Sequence, residues 1–162
     1  MEAASAYLAN RMRTVFEVRK HLREKEYPAE EIDEAIDELI ELKYLDDYQF
    51  AVRYYEYNRE KKRGSLRAER ELAEKGVDKE TIKNAKEDYL YEQKVDEYED
   101  ALAIARKEVF VPSDIYGEED IAKELDDKLS AKIARKLESK GFARGDIFRV
   151  LDALRRETGE YR

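Results

Sequence analysis

The sequence predicts an all-α fold of three tandem three-helix repeats that form an elongated, curved, right-handed array. The chain is rich in Ala, Glu, Lys, Leu and Arg and has only 6 Gly and 2 Pro in 162 residues, which favours unbroken helices. It is 44% charged and 42% hydrophobic, so several small cores are easier to build than one large core. One apolar pattern also recurs three times along the chain, as expected for a repeat protein.

The repeat is defined by three segments that align without gaps: Val18–Leu39, Ala68–Tyr89 and Ile133–Leu154. Equivalent positions are occupied by Leu22, Leu72 and Leu137; by Tyr27, Val77 and Phe142; by Ile32, Ile82 and Ile147; and by Lys25, Lys75 and Lys140. We therefore place repeat 1 at residues 1–45, repeat 2 at residues 46–92 and repeat 3 at residues 93–162.

Each aligned segment is predicted to form a helix, a turn and a second helix. The first helix carries its apolar residues on one face, and Ile32, Ile36, Leu39 and Ile40 continue this pattern at helical spacing after the turn. Gly76 and Gly141 suit the left-handed residue that ends a helix. Because Glu26 stands at the equivalent position of repeat 1, we expect a different turn there.

Helix starts are marked by capping residues. Thr14 and Glu17 have the spacing of a capping box. Asp78 is a good N-cap, and Pro28 fits a first helical turn. These local signals indicate where the second and third helices of the repeats begin.

A further helix precedes each helical pair. The first two are predicted at Ala3–Arg11 and Asp47–Lys62, and the second of these carries Phe50, Tyr54 and Tyr57 on one side. The third is marked by Tyr98, Leu102, Ala105 and Val109.

Repeat 3 carries an insertion at about residues 111–127. Pro112, Ser113 and Gly117 predict that it opens as a loop. We predict a short helix over Glu118–Asp127.

The composition excludes several kinds of functional site. Without Cys, and with one His, the chain has no thiol nucleophile, disulfide framework or multi-histidine metal cage. The scattered glycines form no phosphate-binding loop. Glu118, Glu119 and Asp120 suit solvation better than metal binding. We therefore predict no cofactor and no enzymatic activity. Since no apolar run approaches the roughly 20 residues of a membrane span, we expect a cytoplasmic protein. We also expect a monomer, because the sequence has no heptad pattern that would indicate a coiled-coil dimer.

Charge is unevenly distributed within a net charge of −8. From Glu26 to Phe50 there are ten acids and one base. Two basic clusters follow, the first around Gly64 and the second around Gly141; they are Arg59, Lys61, Lys62, Arg63, Arg67 and Arg70, and Lys132, Arg135, Lys136, Lys140, Arg144 and Arg149. Each cluster fits either a solvated helix face or a binding surface for a large charged partner.

Aromatic residues and the single histidine lie near these features. Tyr54, Tyr55 and Tyr57 are able to stack on unpaired bases, but helical spacing favours core packing for Tyr54 and Tyr57. His21 shares its repeat position with Glu71 and Lys136, which predicts an exposed side chain.

A motif between repeats 1 and 2 resembles one known family. Tyr44, Leu45, Asp46 and Asp47 are followed by Phe50 and Ala51, by a basic run that ends at Gly64, and then by Leu72 and Gly76. This order, together with the triple repeat, resembles the RecX family of bacterial regulators of the RecA recombinase, over about Ala3 to Arg156. Asp46 and Asp47 fit two roles, partner contact or helix capping, and the D-x-x-Q spacing from Asp46 to Gln49 favours the cap.

The resemblance implies a regulator of recombination, DNA repair and the SOS response. Such a protein binds RecA or lodges in the groove of the RecA–single-stranded-DNA filament, where it reduces ATP hydrolysis, strand exchange and filament growth. The two basic clusters are then the expected surface for RecA, with weak direct DNA contact. Two alternatives stay open: a module that binds single-stranded DNA directly, and a generic helical scaffold.

The chain departs from the family pattern at four points. Glu26 replaces a turn glycine, repeat 3 is lengthened by its insertion, and the segment before the first helix is short. The net charge is acidic, which argues against strong binding to DNA.

Overall fold

The computed structural model describes residues 2–111 and 121–159. The helices of these ranges are α1 (Glu2–Leu8), α2 (Val15–Glu24), α3 (Ala29–Glu41), α4 (Asp47–Glu60), α5 (Ser65–Glu74), α6 (Lys79–Glu92), α7 (Glu97–Val109), α8 (Asp127–Lys140) and α9 (Arg144–Gly159). Two short strands, β1 (Phe110–Val111) and β2 (Ile121–Ala122), lie between α7 and α8. The predicted all-α class and the succession of three-helix repeats are confirmed.

The repeat is also visible in the burial of equivalent residues. Leu22, Leu72 and Leu137 are 3%, 0% and 0% exposed. Each accepts, through its carbonyl oxygen, a hydrogen bond from the backbone N–H five residues later, at N–O distances of 3.2, 3.1 and 3.1 Å. Each of these leucines is therefore buried and closes one turn.

The turn residue is left-handed in every repeat. Gly76 and Gly141 have φ values of 78° and 89°, and Glu26 has a φ of 62°. The expectation that the first turn differs is therefore wrong. The same hydrogen bond that closes the other two turns forms here, from Tyr27 N–H to the Leu22 carbonyl, and it offsets the roughly 1–2 kcal/mol that a side chain costs in this conformation.

Two compact units make up the chain. The first comprises Met1–Tyr57 and Glu69–Lys94, and the second comprises Asn58–Ala68 and Val95–Arg162. A core of the first unit consists of Ala4, Val18, Leu22, Ile32, Ala35, Ile36, Leu39 and Leu45. A core of the second unit consists of Ala101, Leu102, Ala105, Val109, Ile133, Leu137, Phe142, Ile147, Val150, Leu151 and Leu154.

The predicted helix starts in the first unit are present. Thr14 caps α2 in a complete capping box with Glu17, and Asp78 caps α6 by accepting from the backbone N–H of Thr81. Pro28 is the residue just before α3 rather than its first helical residue, a one-residue difference that leaves its role as a helix start unchanged.

Two side chains in the first unit lie where the sequence did not predict them. Tyr55 is the buried tyrosine of α4, at 2% exposed, whereas Tyr57 is 45% exposed. Core packing of Tyr57 is therefore a wrong prediction, because the apolar stripe of α4 runs through Phe50, Ala51 and Tyr55. His21 is half-buried, since its ring stacks on that of Tyr7 at 3.9 Å, so the prediction of an exposed histidine is also wrong.

The insertion in repeat 3 is bracketed by the two strands. Phe110 pairs with Ala122 and Val111 with Ile121 in an antiparallel ladder. The predicted helix over Glu118–Asp127 is wrong for residues 121–126, where a strand and an irregular segment lead to the N-cap of α8. Pro112, Ser113, Gly117, Glu118, Glu119 and Asp120 lie outside the described residues.

Candidate interaction surface at two basic corners

The α4–α5 corner and the α8–α9 corner meet in the second compact unit. The Gly64 N–H donates to the Lys140 carbonyl at 2.9 Å, and the Leu66 N–H donates to the Gly141 carbonyl at 3.1 Å. Both predicted basic clusters contribute to these corners. The structure therefore brings cations from distant parts of the chain onto one surface, which we call the corner pair (residues 59–67 and 132–149).

Glycine is required on both sides of this contact. A Cβ on Gly64 would lie 2.6 Å from the Gly141 carbonyl carbon and 2.7 Å from the Phe142 nitrogen. A Cβ on Gly141 would lie 2.5 Å from the Arg67 nitrogen. These distances are shorter than van der Waals contact, so the two backbones approach as closely as they do only because neither residue has a side chain.

Glu97 of α7 anchors the same corner from the side. Its carboxylate accepts from the Ser65 N–H at 2.6 Å and from the Ser65 hydroxyl at 2.7 Å. Glu97 thus satisfies a donor at the first turn of α5 that would otherwise be unpaired.

Many cations of the corner pair are already engaged by acids of the same unit. Arg59 forms a two-pronged pair with Asp100 at 2.7 and 3.2 Å. Lys132 and Lys136 both bind Glu108, and these two ammonium groups lower the pKa of the Glu108 carboxyl to about 2.

The arginines near α9 and Arg67 also have partners. Arg144 pairs with Glu138, and Arg149 pairs with Asp146 while its guanidinium lies 4.2 Å from the centroid of the Tyr98 ring. Arg67 is half-buried and donates to the Ser139 carbonyl at 3.5 Å. Arg144 and Arg149 attract an acidic partner less strongly, because an acid of this chain neutralises each of them. The hydrogen bond to the Ser139 carbonyl fixes the Arg67 side chain in place.

Three of the remaining cations lie beside the two glycines of the contact. Within residues 2–111 and 121–159, Lys62, Arg63, Lys140 and Arg135 form no ion pair. Lys62 and Arg63 directly precede Gly64, and Lys140 directly precedes Gly141. Lys61 is exposed, and Arg70 is exposed in the first compact unit.

Residues 2–111 and 121–159 lack two kinds of functional feature. No helix there is long and apolar enough to cross a membrane. No group of three or more His, Asp or Glu residues there is arranged to hold a metal ion.

Comparison with known proteins identifies the family. The model of the first three-helix domain of RecX matches residues 1–39, and that of the second three-helix domain matches residues 46–85. The regulatory protein RecX of Halalkalibacterium halodurans is 32% identical over 120 residues, which are 74% of this chain and 45% of that protein. The chain belongs to the RecX family.

Other RecX proteins resemble the chain over more of its length. The regulatory protein RecX of Bacillus subtilis is 31% identical over 156 residues, 95% of this chain and 54% of that protein. The chain thus spans about half the length of these curated RecX relatives. The crystal structure of RecX from Lactobacillus salivarius matches with a TM-score of 0.74 and 26% identity, covering 94% of this chain and 92% of that one. A second crystal structure of a regulatory protein RecX, with a TM-score of 0.68 and 21% identity, shares the fold.

The RecX-type motif has mainly structural contacts. Leu45, Phe50, Ala51 and Leu72 are buried, and Gly76 is the left-handed turn residue described above. Asp46 caps α4 by accepting from the Gln49 N–H at 2.9 Å.

The two outer residues of the Tyr44–Asp47 string behave differently. Asp47 accepts from the Val15 N–H at 2.9 Å and so connects α4 with the start of α2. Burial raises the pKa of the Asp47 carboxyl despite this hydrogen bond. Tyr44 is 69% exposed and is therefore accessible to a partner.

The acids that neutralise the two basic clusters could not be identified from the sequence. Glu108 is 24 and 28 residues from the two lysines that it binds, and Asp100 is 41 residues from Arg59. No periodicity or motif connects positions so far apart, so only the packing of the helices reveals these pairs.

Proposed function

We propose that this chain regulates homologous recombination by binding RecA, alone or as a filament on single-stranded DNA. Binding reduces ATP hydrolysis, strand exchange and filament growth, and it requires no catalytic group of this chain. Membership of the RecX family and the word "regulatory" in the relatives' names support this proposal.

The observation that carries the proposal is the convergence of cations without ion pairs at the corner pair. Lys62 and Arg63 approach from one corner and Lys140 from the other, and the two hydrogen bonds beside Gly64 and Gly141 hold the corners together. Cations on one rigid surface give an acidic partner surface a complementary potential, which speeds association and selects the partner. Arg63 adds the planar, forked donor set that suits carboxylates.

The test is single-stranded-DNA-dependent ATP hydrolysis by the cognate RecA, titrated with this protein. The test variant replaces Lys62, Arg63 and Lys140 by Glu. The control variant replaces Lys107, Lys128 and Arg155 by Glu; these exposed cations of the second unit lie outside the corner pair and form no ion pair among the described residues. Both variants change the net charge equally.

We expect wild type and control to inhibit hydrolysis and the corner variant to need at least tenfold more protein for the same effect. Equal inhibition by the corner variant would show that the corner pair is a solvated face. No effect of the folded wild type on RecA would refute the proposal and leave a helical scaffold for another partner.

A labelled single-stranded oligonucleotide without RecA tests the direct DNA-binding alternative. We expect weak binding, since the net charge of −8 opposes association with phosphates. Tight binding that falls steeply with added salt would replace RecA by DNA as the primary partner.

A further inference from the structure

A groove of about 210 Å³ lies in the first compact unit, between the end of α2 and α3. Its floor is apolar, because the buried residues Leu22, Ile32 and Ala35 line it. Tyr27, the residue after the left-handed turn, also lines the groove and is 43% exposed. We call this feature the α3 groove; it shares no residue with the corner pair.

The rim of the α3 groove is acidic. Glu31, Glu34 and Glu38 line it, and all three are exposed. None of them forms an ion pair with any part of the chain that the structure describes, whereas the neighbouring Asp33 is paired with Arg19. The described residues that line the groove include no Lys or Arg. An apolar groove with three acids on its rim therefore faces the solvent.

The rim charges repel one another. Glu31 and Glu34 are three positions apart and Glu34 and Glu38 are four positions apart, so the three side chains are neighbours on one face of α3. Glu38 also lies in the last turn of the helix, where the macrodipole disfavours an acid and where α3 has no base. This arrangement lowers the stability of the free helix, and cations bound along the rim would relieve it.

The spacing of the rim acids matches a second helix better than an extended segment. At 1.5 Å of rise per residue, Glu31 and Glu34 are separated by about 4.5 Å along α3, and Glu34 and Glu38 by about 6 Å. Cations three and four positions apart on a partner helix have the same spacings, whereas alternate residues of an extended strand are about 6.7 Å apart. Tyr27 and the 54% exposed Leu42 flank the row of acids and offer apolar contacts to the ends of such a helix.

We propose that the α3 groove binds a basic amphipathic helix of a partner protein. An apolar side chain of that helix fills the groove over Leu22 and Ile32, and Arg or Lys side chains beside it pair with the rim acids. Charge complementarity selects this occupant, because an acidic rim repels nucleic acids and acidic proteins. The proposal does not rest on the proposed action on RecA.

The test is an NMR titration of the ¹⁵N-labelled full chain with blocked, alanine-based peptides of about 15 residues, long enough to form a helix. The matched peptide carries one leucine and three arginines on one face, with the arginines three and four positions apart. The dispersed peptide has the same composition, with its arginines spread around the helix. We expect the matched peptide to shift the amides of Tyr27, Glu31, Ala35 and Glu38 and to bind about fivefold more tightly than the dispersed peptide.

A rim variant locates the binding. It combines Glu31→Gln, Glu34→Gln and Glu38→Gln, which keep the shape of each side chain and remove the repulsion along α3, so the fold should persist. Loss of three partly exposed ion pairs should weaken binding of the matched peptide about tenfold. The comparison of the two peptides uses wild type alone and therefore does not depend on this variant.

The matched control removes three other exposed acids of the same unit. These acids lie outside the groove and form no ion pair among the described residues; they are changed by Glu74→Gln, Glu80→Gln and Glu92→Gln. Both variants change the net charge equally. The control should bind the matched peptide within about twofold of wild type.

Sedimentation of the wild type alone tests a different occupant, a second copy of this chain that places Lys62, Arg63 and Lys140 on the rim. We expect a monomer at the concentrations of the titration. A dimer that the rim variant abolishes would replace the partner helix by a second copy.

Three further results would overturn the proposal. They are no amide shifts with about 5 mM matched peptide, equal affinities for the matched and dispersed peptides, and an equal loss of affinity in the rim and control variants. None of these experiments contains RecA, so their failure and the failure of the proposed regulatory function are distinguishable.

Discussion

The contact between the two corners depends on the absence of a side chain at Gly64, and Gly64→Ala tests it directly. The new Cβ would lie 2.6 Å from the Gly141 carbonyl carbon and 2.7 Å from the Phe142 nitrogen. Both neighbours are backbone atoms and are therefore unable to rotate away. The corners would have to separate, which stretches the hydrogen bonds from Gly64 to Lys140 and from Leu66 to Gly141.

The expected loss follows from these contacts. Two backbone hydrogen bonds contribute about 1 kcal/mol each, and a clash in a packed region costs about 1–3 kcal/mol. Gly64→Ala should therefore lower the free energy of unfolding by about 3–5 kcal/mol, a large part of the roughly 5–15 kcal/mol typical of a domain.

Gly145→Ala is the matched control. Gly145 lies in α9 of the same unit, and a Cβ there would meet no atom within 4 Å. This change should raise the stability by up to about 1 kcal/mol, since alanine is the better helix former.

Urea unfolding followed by far-UV circular dichroism measures both changes. Gly64→Ala should move the midpoint to lower urea, and Gly145→Ala should move it slightly upward or leave it in place. A Gly64→Ala protein within about 0.5 kcal/mol of wild type would refute the close approach of the two corners.

Three further predictions concern side chains that connect helices. Glu108→Gln should cost about 1 kcal/mol at neutral pH, the sum of two partly exposed ion pairs. Because the Glu108 pKa falls from its usual 4.5 to about 2, this difference should disappear as the pH of the unfolding experiment falls through that window; a difference that does not change with pH would contradict it. Asp47→Asn should make the protein more stable than wild type at neutral pH, since burial raises the Asp47 pKa and an amide oxygen still accepts from Val15. The advantage should grow as the pH rises above 3.8 and the wild-type carboxyl ionises, so a destabilised variant at neutral pH would show that the charge itself is favourable. Thr14→Ala should cost about 1–2 kcal/mol in thermal or urea unfolding, because it removes both the cap bond from the Glu17 N–H and the bond to the Lys75 carbonyl; a loss below about 0.5 kcal/mol would mean that these two bonds add no stability.

Local signals allowed most of the helical framework to be predicted. Thr14 with Glu17, and Asp78 with Thr81, act over three residues, and both caps lie where the spacing placed them. Leu137 and its repeat equivalents are buried because helical periodicity assigns them one face. Such features depend only on backbone geometry and near neighbours, which are readable from one sequence.

The errors have a different origin. A propensity argument placed Glu26 outside the left-handed region, but the turn that brings Tyr27 N–H to the Leu22 carbonyl requires that conformation. Tyr55 and Tyr57 are both aromatic residues near the middle of α4, and the neighbouring helices decide that Tyr55 is buried. In these cases tertiary packing outweighs the local preference.

The sequence by itself determined the helical class, the repeats, the capped helix starts and the two basic clusters of this RecX-family chain, since each follows from local patterns of residue type that can be compared along the chain. Only the tertiary structure decided which cations Glu108 and Asp100 neutralise, that Gly64 meets Gly141, and that Leu22, Tyr27 and Glu38 line one groove. The physical reason is that charge pairing and close backbone approach depend on distance in space, which the packing of the helices sets.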